Sequence, residues 1–204
     1  IEIIILFVIS LLVSLLISRK IGSVNLTNIV LISAAFYLFF ITAKDFFSKK
    51  LKNYPQKISH FGFSLLILSI LLNSIFSSEV ITNLKVGEKF SFKEESITFE
   101  SIENTESKNY RSIIGHFKIE DKQKNSIQLK PELRIYDQPF TITSEADIKT
   151  TLYYDKFLVM NLVKGDEYFN VRYQFKPFMI WIWISTLLLS IGGIFSLFKR
   201  IYEK

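Results

Sequence analysis

The sequence predicts a membrane α-helical bundle with an inserted β-rich domain outside the membrane, either an antiparallel sandwich or a barrel-like sheet. Hydrophobic residues make up 49% of the 204 residues and charged residues 22%, so the two kinds have to be segregated along the chain. Four stretches carry almost no charge, and the segment between the third and the fourth is polar. The apolar stretches are 1–18, 26–43, 59–76 and 178–197.

Each apolar stretch has the length of a membrane-spanning helix. The stretches contain 18 to 20 residues, and at a rise of about 1.5 Å per residue such a helix crosses a hydrocarbon core of roughly 30 Å. We therefore expect three transmembrane helices within 1–76, a β-rich domain over 77–176, and a final transmembrane helix with a cytoplasmic tail over 177–204. This organisation excludes a soluble enzyme, a soluble nucleic-acid-binding protein and a disordered chain.

The net charge of +6 comes from basic residues in the segments next to the apolar stretches. The connector 44–58 holds five lysines against one aspartate, and the tail 198–204 holds three basic residues against one acidic residue. Because basic residues that flank membrane spans mark the cytoplasmic side, both segments are predicted to be cytoplasmic and 77–176 to be outside. Membrane lipid is then a partner, and no basic surface for nucleic acid is needed.

Short runs rich in β-branched and aromatic residues recur through the outside segment, separated by polar or turn-forming residues. Apolar and polar residues alternate most clearly over 169–175. Regular spacing of such runs is typical of an antiparallel sandwich or a partly open barrel with a core of its own. The predicted strands are 79–86, 96–102, 110–120, 126–136, 156–163 and 167–175.

Motifs for self-contained catalysis are missing from the sequence. The seven glycines form no phosphate-binding loop or nucleophile elbow, and the two histidines, His60 and His116, form no HExxH motif. His116 falls in a predicted strand, where a structural or surface role is favoured. Without cysteine the chain can form no disulfide, CxxC pair or cysteine metal site. We predict no catalytic residue in this chain, so thiol chemistry has to come from a partner.

His60 stands at the start of the third apolar stretch. An ionisable side chain in a membrane helix usually faces a partner or ligand inside the bundle, but an interfacial histidine that reaches the headgroups explains the position equally well. Neutral imidazole is an axial ligand of haem iron, and Gly62 would leave room beside a flat macrocycle. If His60 binds iron, helix periodicity places Phe63, Ser64 and Ile67 on its face, where they would line the pocket.

The chain opens at Ile1 inside an apolar run. A signal peptide is one interpretation, but no basic region and no small-residue cleavage site precede Arg19. A piece of a longer membrane protein is the favoured interpretation.

Several separated motifs resemble the C-terminal region of the CcmF family. The resemblance covers nearly the whole chain but only the last third of a full-length family member. One motif has Ser144 where the family usually has threonine. The motifs are Ser59-His60-Phe61-Gly62, Leu129-Lys130-Pro131-Glu132-Leu133-Arg134-Ile135-Tyr136, Ser144-Glu145-Ala146-Asp147-Ile148, Phe175-Lys176-Pro177-Phe178 before Trp181-Ile182-Trp183, and Gly192-Gly193.

The resemblance implies part of a cytochrome c haem lyase, or holocytochrome c synthase. The family takes haem from the periplasmic haem chaperone CcmE and helps attach it to CxxCH cysteines of apocytochrome c, presented with CcmH. The resemblance also implies that His60 is the metal ligand of a b-type haem (haem b), whose opposite ligand comes from the upstream part of CcmF. It places this multi-pass chain in the bacterial inner membrane with the large domain in the periplasm. Trp181 and Trp183 are predicted to be interfacial anchors.

Two other interpretations stay open. The first is a dedicated paralogue that serves a multihaem nitrite-reductase cytochrome. The second is a non-catalytic membrane assembly or transport subunit whose outside domain only binds a partner. The four spans offer His60 and Glu2 as ionisable interior candidates, which disfavours a polar translocation path.

Overall fold

The structure is a computed structural model that describes residues 2–22, 24–48, 53–163 and 167–202. The chain divides into two compact units, a helical unit formed by 1–76 with 177–204 and a β unit formed by 77–176. Lys49, Lys50 and Lys52 of the predicted basic connector lie outside the described residues, as do the turn residues 164–166 and the last two residues of the predicted tail.

Four helices of the described residues are long and apolar enough to cross a membrane. The third helix begins at Tyr54, ahead of the predicted start at residue 59. Lys57 in its first turns is buried and donates a hydrogen bond to the backbone carbonyl of Asp45 at 2.9 Å. This cation therefore caps the C-terminal end of the preceding helix, which favours positive charge. The helices are α1 (Glu2–Ile21), α2 (Leu26–Phe46), α3 (Tyr54–Phe76) and α4 (Met179–Tyr202).

Small residues allow α3 and α4 to pack closely. A Cβ atom added to Gly62 would lie 2.9 Å from the backbone nitrogen of Leu189, and one added to Gly192 would lie 2.7 Å from the backbone nitrogen of Ser59. Backbones that approach this closely are typical of membrane helices joined by small residues, since lipid supplies no hydrophobic drive for association.

In the β unit, ten strands of the described residues form two sheets. One sheet has four strands in the order β1-β10-β9-β8; the other has the order β2-β3-β4-β6-β7, with β5 also paired to β4. The strand pairs with a described register are antiparallel. The strands are β1 (Ser78–Leu84), β2 (Lys89–Phe92), β3 (Glu95–Glu106), β4 (Tyr110–Asp121), β5 (Ser126–Leu129), β6 (Glu132–Asp137), β7 (Phe140–Glu145), β8 (Asp147–Thr150), β9 (Tyr154–Leu162) and β10 (Phe169–Pro177).

The two sheets enclose an apolar core, which the alternation of the strands predicts. The rings of Phe99 on β3 and Phe117 on β4 stack with their centroids 4.3 Å apart. Met160 on β9 and Tyr173 on β10 are fully buried in the same cluster. The fold class predicted from the sequence, apolar helices with an antiparallel β-rich domain, is confirmed.

The strand boundaries differ from the prediction at one informative place. The predicted strand 126–136 is two strands, because Pro131 has no N–H to donate to the ladder and interrupts it. The carbonyl of Pro131 still accepts a hydrogen bond from the N–H of Gly115 at 3.0 Å, so β5 and β6 pair with successive parts of β4. The short strands β2, β7 and β8 were not predicted.

Candidate functional site

His60 lies near the start of α3 on its exposed side. It is the only histidine of the helical unit. Among the described residues its imidazole has no hydrogen-bond partner. Phe63 is 52% exposed and Ile70 51% exposed, and together with Ile67 they continue the stripe of His60 at spacings of three and four residues along the helix. The structure therefore brings His60, Phe63 and Ile67 onto one open helix face.

Ser64, unlike His60, is covered by α2. It is fully buried, its hydroxyl lies 2.5 Å from the hydroxyl of Thr42 on α2, and it donates to the carbonyl of Phe61 at 2.9 Å. Ser64 therefore contributes to the contact between α2 and α3, whereas His60 and Phe63 face outward.

Gly62 does not leave a space beside His60. It is buried against α4, where an added Cβ would meet the backbone of Leu189 and of Ser185. The expectation that Gly62 makes room for a flat ring is therefore wrong, because the space over its Cα atom is filled by the neighbouring helix.

An aromatic cluster fixes the first part of α3 against the end of α2. The ring of Phe61 stacks on that of Phe46 with centroids 4.7 Å apart, and lies 5.8 Å from the ring of Phe39. Stacked aromatic pairs contribute about 0.5–1.5 kcal/mol beyond the burial of their surface, so this cluster stabilises the contact between α2 and α3. Phe39 and Phe46 were not predicted from the sequence as supports of the His60 segment, although the end of the second apolar stretch is rich in phenylalanine.

An apolar groove continues from the His60 stripe toward the C-terminal end of α3. Its volume is about 560 Å³, and Ala34 and Ala35 on α2 form its small-residue wall. In a membrane such a groove between two helices accepts an acyl chain or another helix. The groove is lined by Leu31, Ala34, Ala35, Leu38, Ile67, Ile70, Leu71 and Ser74.

The other singled-out aromatic and imidazole groups stand on other elements than α3. His116 on β4 belongs to the β unit, and its Nε2 atom lies 3.1 Å from the carboxylate of Glu103 on β3. Trp181 and Trp183 stand in the first turns of α4, and Trp183 is exposed. Among the described residues no three histidine, aspartate or glutamate side chains come close enough to hold a metal ion.

A family profile and several known proteins that match this chain agree with one another. A family profile described as the CcmF C-terminal beta-sandwich matches residues 75–177. The cytochrome c-type biogenesis protein CcmF of Pseudomonas fluorescens is 29% identical over 148 residues, which are 72% of this chain and 22% of that protein. The cytochrome c-type biogenesis protein NrfE of Haemophilus influenzae is 24% identical over 178 residues, which are 86% of this chain and 28% of that protein.

The fold also has a counterpart among solved structures. The structure of a Cytochrome c Heme Lyase CcmF superposes with a TM-score of 0.68 at 15% sequence identity, over 94% of this chain and 33% of that one. The chain spans about a quarter of the length of the curated relatives it matches. The resemblance found in the sequence motifs is confirmed: the chain belongs to the CcmF family of cytochrome c-type biogenesis proteins and corresponds to its C-terminal part.

Proposed function

We propose that this chain is the C-terminal part of a membrane haem lyase that helps attach haem to the CxxCH cysteines of apocytochrome c. The proposal rests on membership of the CcmF family and on the position of His60. This residue lies on the open face of a membrane-type helix, and its imidazole has no hydrogen-bond partner in the part of the chain that the structure describes. The partners follow from the same family: the haem chaperone CcmE, CcmH with the apocytochrome, and the upstream part of CcmF.

The His60 face suits one side of a haem. An imidazole that makes no hydrogen bond among the described residues can offer a ring nitrogen to iron. Phe63 and Ile67, on the same open face of α3, supply apolar surface for a macrocycle. A bound haem b would supply a redox-active iron, which His60 would hold together with a residue of the upstream part of CcmF.

The helices beside His60 hold its position. Phe61 is stacked on α2, and Ser59 packs on Gly192 of α4, so the two neighbours of His60 in the sequence are fixed from both sides. An axial ligand benefits from such support because ring orientation decides iron binding. Ser64 supports the same segment of α3 indirectly, through its contact with Thr42 of α2.

The proposed orientation has the β unit in the periplasm and the chain in the bacterial inner membrane. The basic residues of 44–58 and 198–204 support it, since such residues stay in the cytoplasm. His60 lies sixteen residues before the end of α3 at Phe76, which is roughly 24 Å along the helix axis. The haem would then lie in the inner half of the bilayer. The CxxCH thiols belong to the apocytochrome, because this chain has no cysteine.

The test is the reduced-minus-oxidised spectrum of the full-length protein. His60→Ala should remove or greatly weaken the b-type haem signal, because iron loses one axial ligand. His116→Ala is the matched control and should leave the signal unchanged, since its imidazole is paired with Glu103 in the β unit. An unaltered spectrum in the His60 variant would support the interfacial-histidine interpretation instead.

A further inference from the structure

The strand β7 forms one edge of the larger sheet of the β unit. An edge strand presents a row of backbone N–H and C=O groups that have no partner on one side, and it can pair with another chain. The first three residues of β7 are exposed. Near its C-terminal end one face of the strand is covered, because the hydroxyl of Ser144 is hydrogen bonded to the side chain of Asn161 on β9. We therefore call Phe140 to Thr143 the open part of β7.

The start of β7 lacks the charged side chains that the edge strands β1, β2 and β8 carry. Lysine or acidic side chains on an edge strand normally discourage pairing with a foreign strand. The edge strands β1, β2 and β8 carry Glu79, Lys89 and Asp147 in their first two positions. In β7 the only charged residue is the last one, Glu145, whose carboxylate lies 3.8 Å from the guanidinium of Arg134.

The open part of β7 also presents apolar side chains on one face. Phe140 is 72% exposed and Ile142 is 45% exposed. Ile142 is paired with Ile135 of β6, which puts it on the same face as the buried Leu133 two residues away. Phe140 and Ile142 therefore lie on the core-facing side of the sheet, but at the free edge, where no other part of the described chain covers them.

The opposite face of the same strand is polar. Thr141 and Thr143 alternate with the apolar residues, and the hydroxyl of Thr143 is buried without a hydrogen-bond partner among the described residues. A partner that fits β7 therefore needs unpaired backbone groups of its own, apolar side chains at alternate positions and small polar side chains between them. Only a polypeptide segment in extended conformation offers all three features.

We propose that β7 is a docking edge for an extended, unfolded polypeptide segment, which adds to the larger sheet as a further strand next to Phe140–Thr143. Backbone hydrogen bonds provide the affinity, and Phe140 and Ile142 select segments with apolar residues at alternate positions. The recognition of backbone rather than of a particular side chain makes this edge suited to partners that are not yet folded. The docking edge requires no haem and is independent of the function proposed for His60.

The experiment uses the full chain in detergent and a fluorescein-labelled synthetic peptide in which valine alternates with threonine. Its binding is measured by fluorescence anisotropy, and hydrogen exchange locates the site. We expect saturable binding that protects the amides of β7. The same peptide with alternate backbone nitrogens methylated cannot donate those hydrogen bonds and should bind at least about tenfold more weakly. Equal binding of both peptides would overturn the proposal.

A matched pair of variants tests the location. Ile142→Lys places a charge on the open edge and should weaken binding by roughly tenfold or more. Ile148→Lys changes a residue with the same 45% exposure on β8 and should bind as the unaltered chain does. Both side chains are exposed, so neither variant disturbs the core. Unchanged binding in Ile142→Lys, equal loss in both variants, or protection of β7 by self-association without peptide would each contradict the proposal.

Discussion

Gly192 of α4 packs directly against the backbone of Ser59 of α3. A methyl group on Gly192 would come within 2.7 Å of the nitrogen of Ser59 and 2.9 Å of the carbonyl oxygen of Pro55. Neither backbone atom can move without displacing the helix, so any side chain larger than that of glycine at this position should cost stability. Ser59 precedes His60, and the contact therefore also sets the position of the proposed haem ligand.

Gly192→Ala should destabilise the helical unit by about 1–3 kcal/mol, because the added methyl group forces α3 and α4 apart. Gly193→Ala is the matched control: a Cβ there meets nothing within 4 Å, so stability should stay the same or rise slightly with the better helix propensity of alanine. Both tryptophans stand in α4, so thermal unfolding in detergent can be followed by tryptophan fluorescence. Equal melting temperatures for the two variants would refute the tight contact.

Phe63 and Ser64 should respond differently to truncation in the full-length protein. Phe63→Ala removes an exposed ring and should shift or weaken the b-type haem spectrum with little effect on thermal stability. Ser64→Ala removes the contact with Thr42 and should cost roughly 0.6 kcal/mol, the usual size of such a bond between membrane helices, while the spectrum is kept. Absorption spectra and melting curves of both variants test these expectations. An unchanged spectrum in Phe63→Ala would place the haem elsewhere.

The orientation of the chain can be tested with single cysteines, because the native sequence has none. A cysteine at Glu106 in the β unit should react with a membrane-impermeant maleimide in intact spheroplasts, and a cysteine at Lys52 should react only after the membrane is opened. The reason is the basic connector around residue 52, which is expected to remain in the cytoplasm. Labelling of position 52 alone would reverse the proposed topology.

The stability of the β unit should depend on pH in opposite directions through two of its aspartates. Burial raises the pKa of Asp155, although hydrogen bonds from Thr150 and Thr151 offset part of the effect. A folded-state pKa above the unfolded value means that stability is greatest at acid pH and falls as the pH rises through the folded-state pKa. Asp155→Asn should therefore stabilise the β unit at neutral pH, and this gain should disappear in acid.

Asp121 is the counterpart with the reverse sign. The side chain of Asn125 donates a hydrogen bond to its carboxylate and holds the pKa of Asp121 below its usual range. Its stabilising effect is present above the unfolded value and is lost as the pH falls through the folded-state pKa. Asp121→Asn should destabilise the β unit at neutral pH. Far-UV circular dichroism melts at several pH values test both variants, and shifts of the same sign would contradict the assignment.

The order of apolar and polar segments along the sequence is sufficient to predict the four helices and a β unit between the third and the fourth. An apolar stretch of 18 to 20 residues has no other stable conformation in lipid, and alternating short runs require a sheet that buries one face. Pro131 shows where such patterns fail: the hydrophobic alternation continues through it, but the missing N–H divides the strand. The strands β7 and β8 are short edges with little burial, so they leave a weak pattern in the sequence.

The same distinction, between what the sequence predicts and what packing decides, applies to the candidate site. The sequence draws attention to His60 because an imidazole in an apolar stretch is rare and costly, and the periodicity of a helix places Phe63 and Ile67 beside it. Periodicity could not decide which neighbouring residues face another helix. The helix turns by 100° per residue, which assigns Ser64 to a face but does not say which element covers that face. Packing decided that Ser64 contacts Thr42 and that Gly62 is covered by α4. Such contacts join residues far apart in the chain, and only the tertiary structure brings them together.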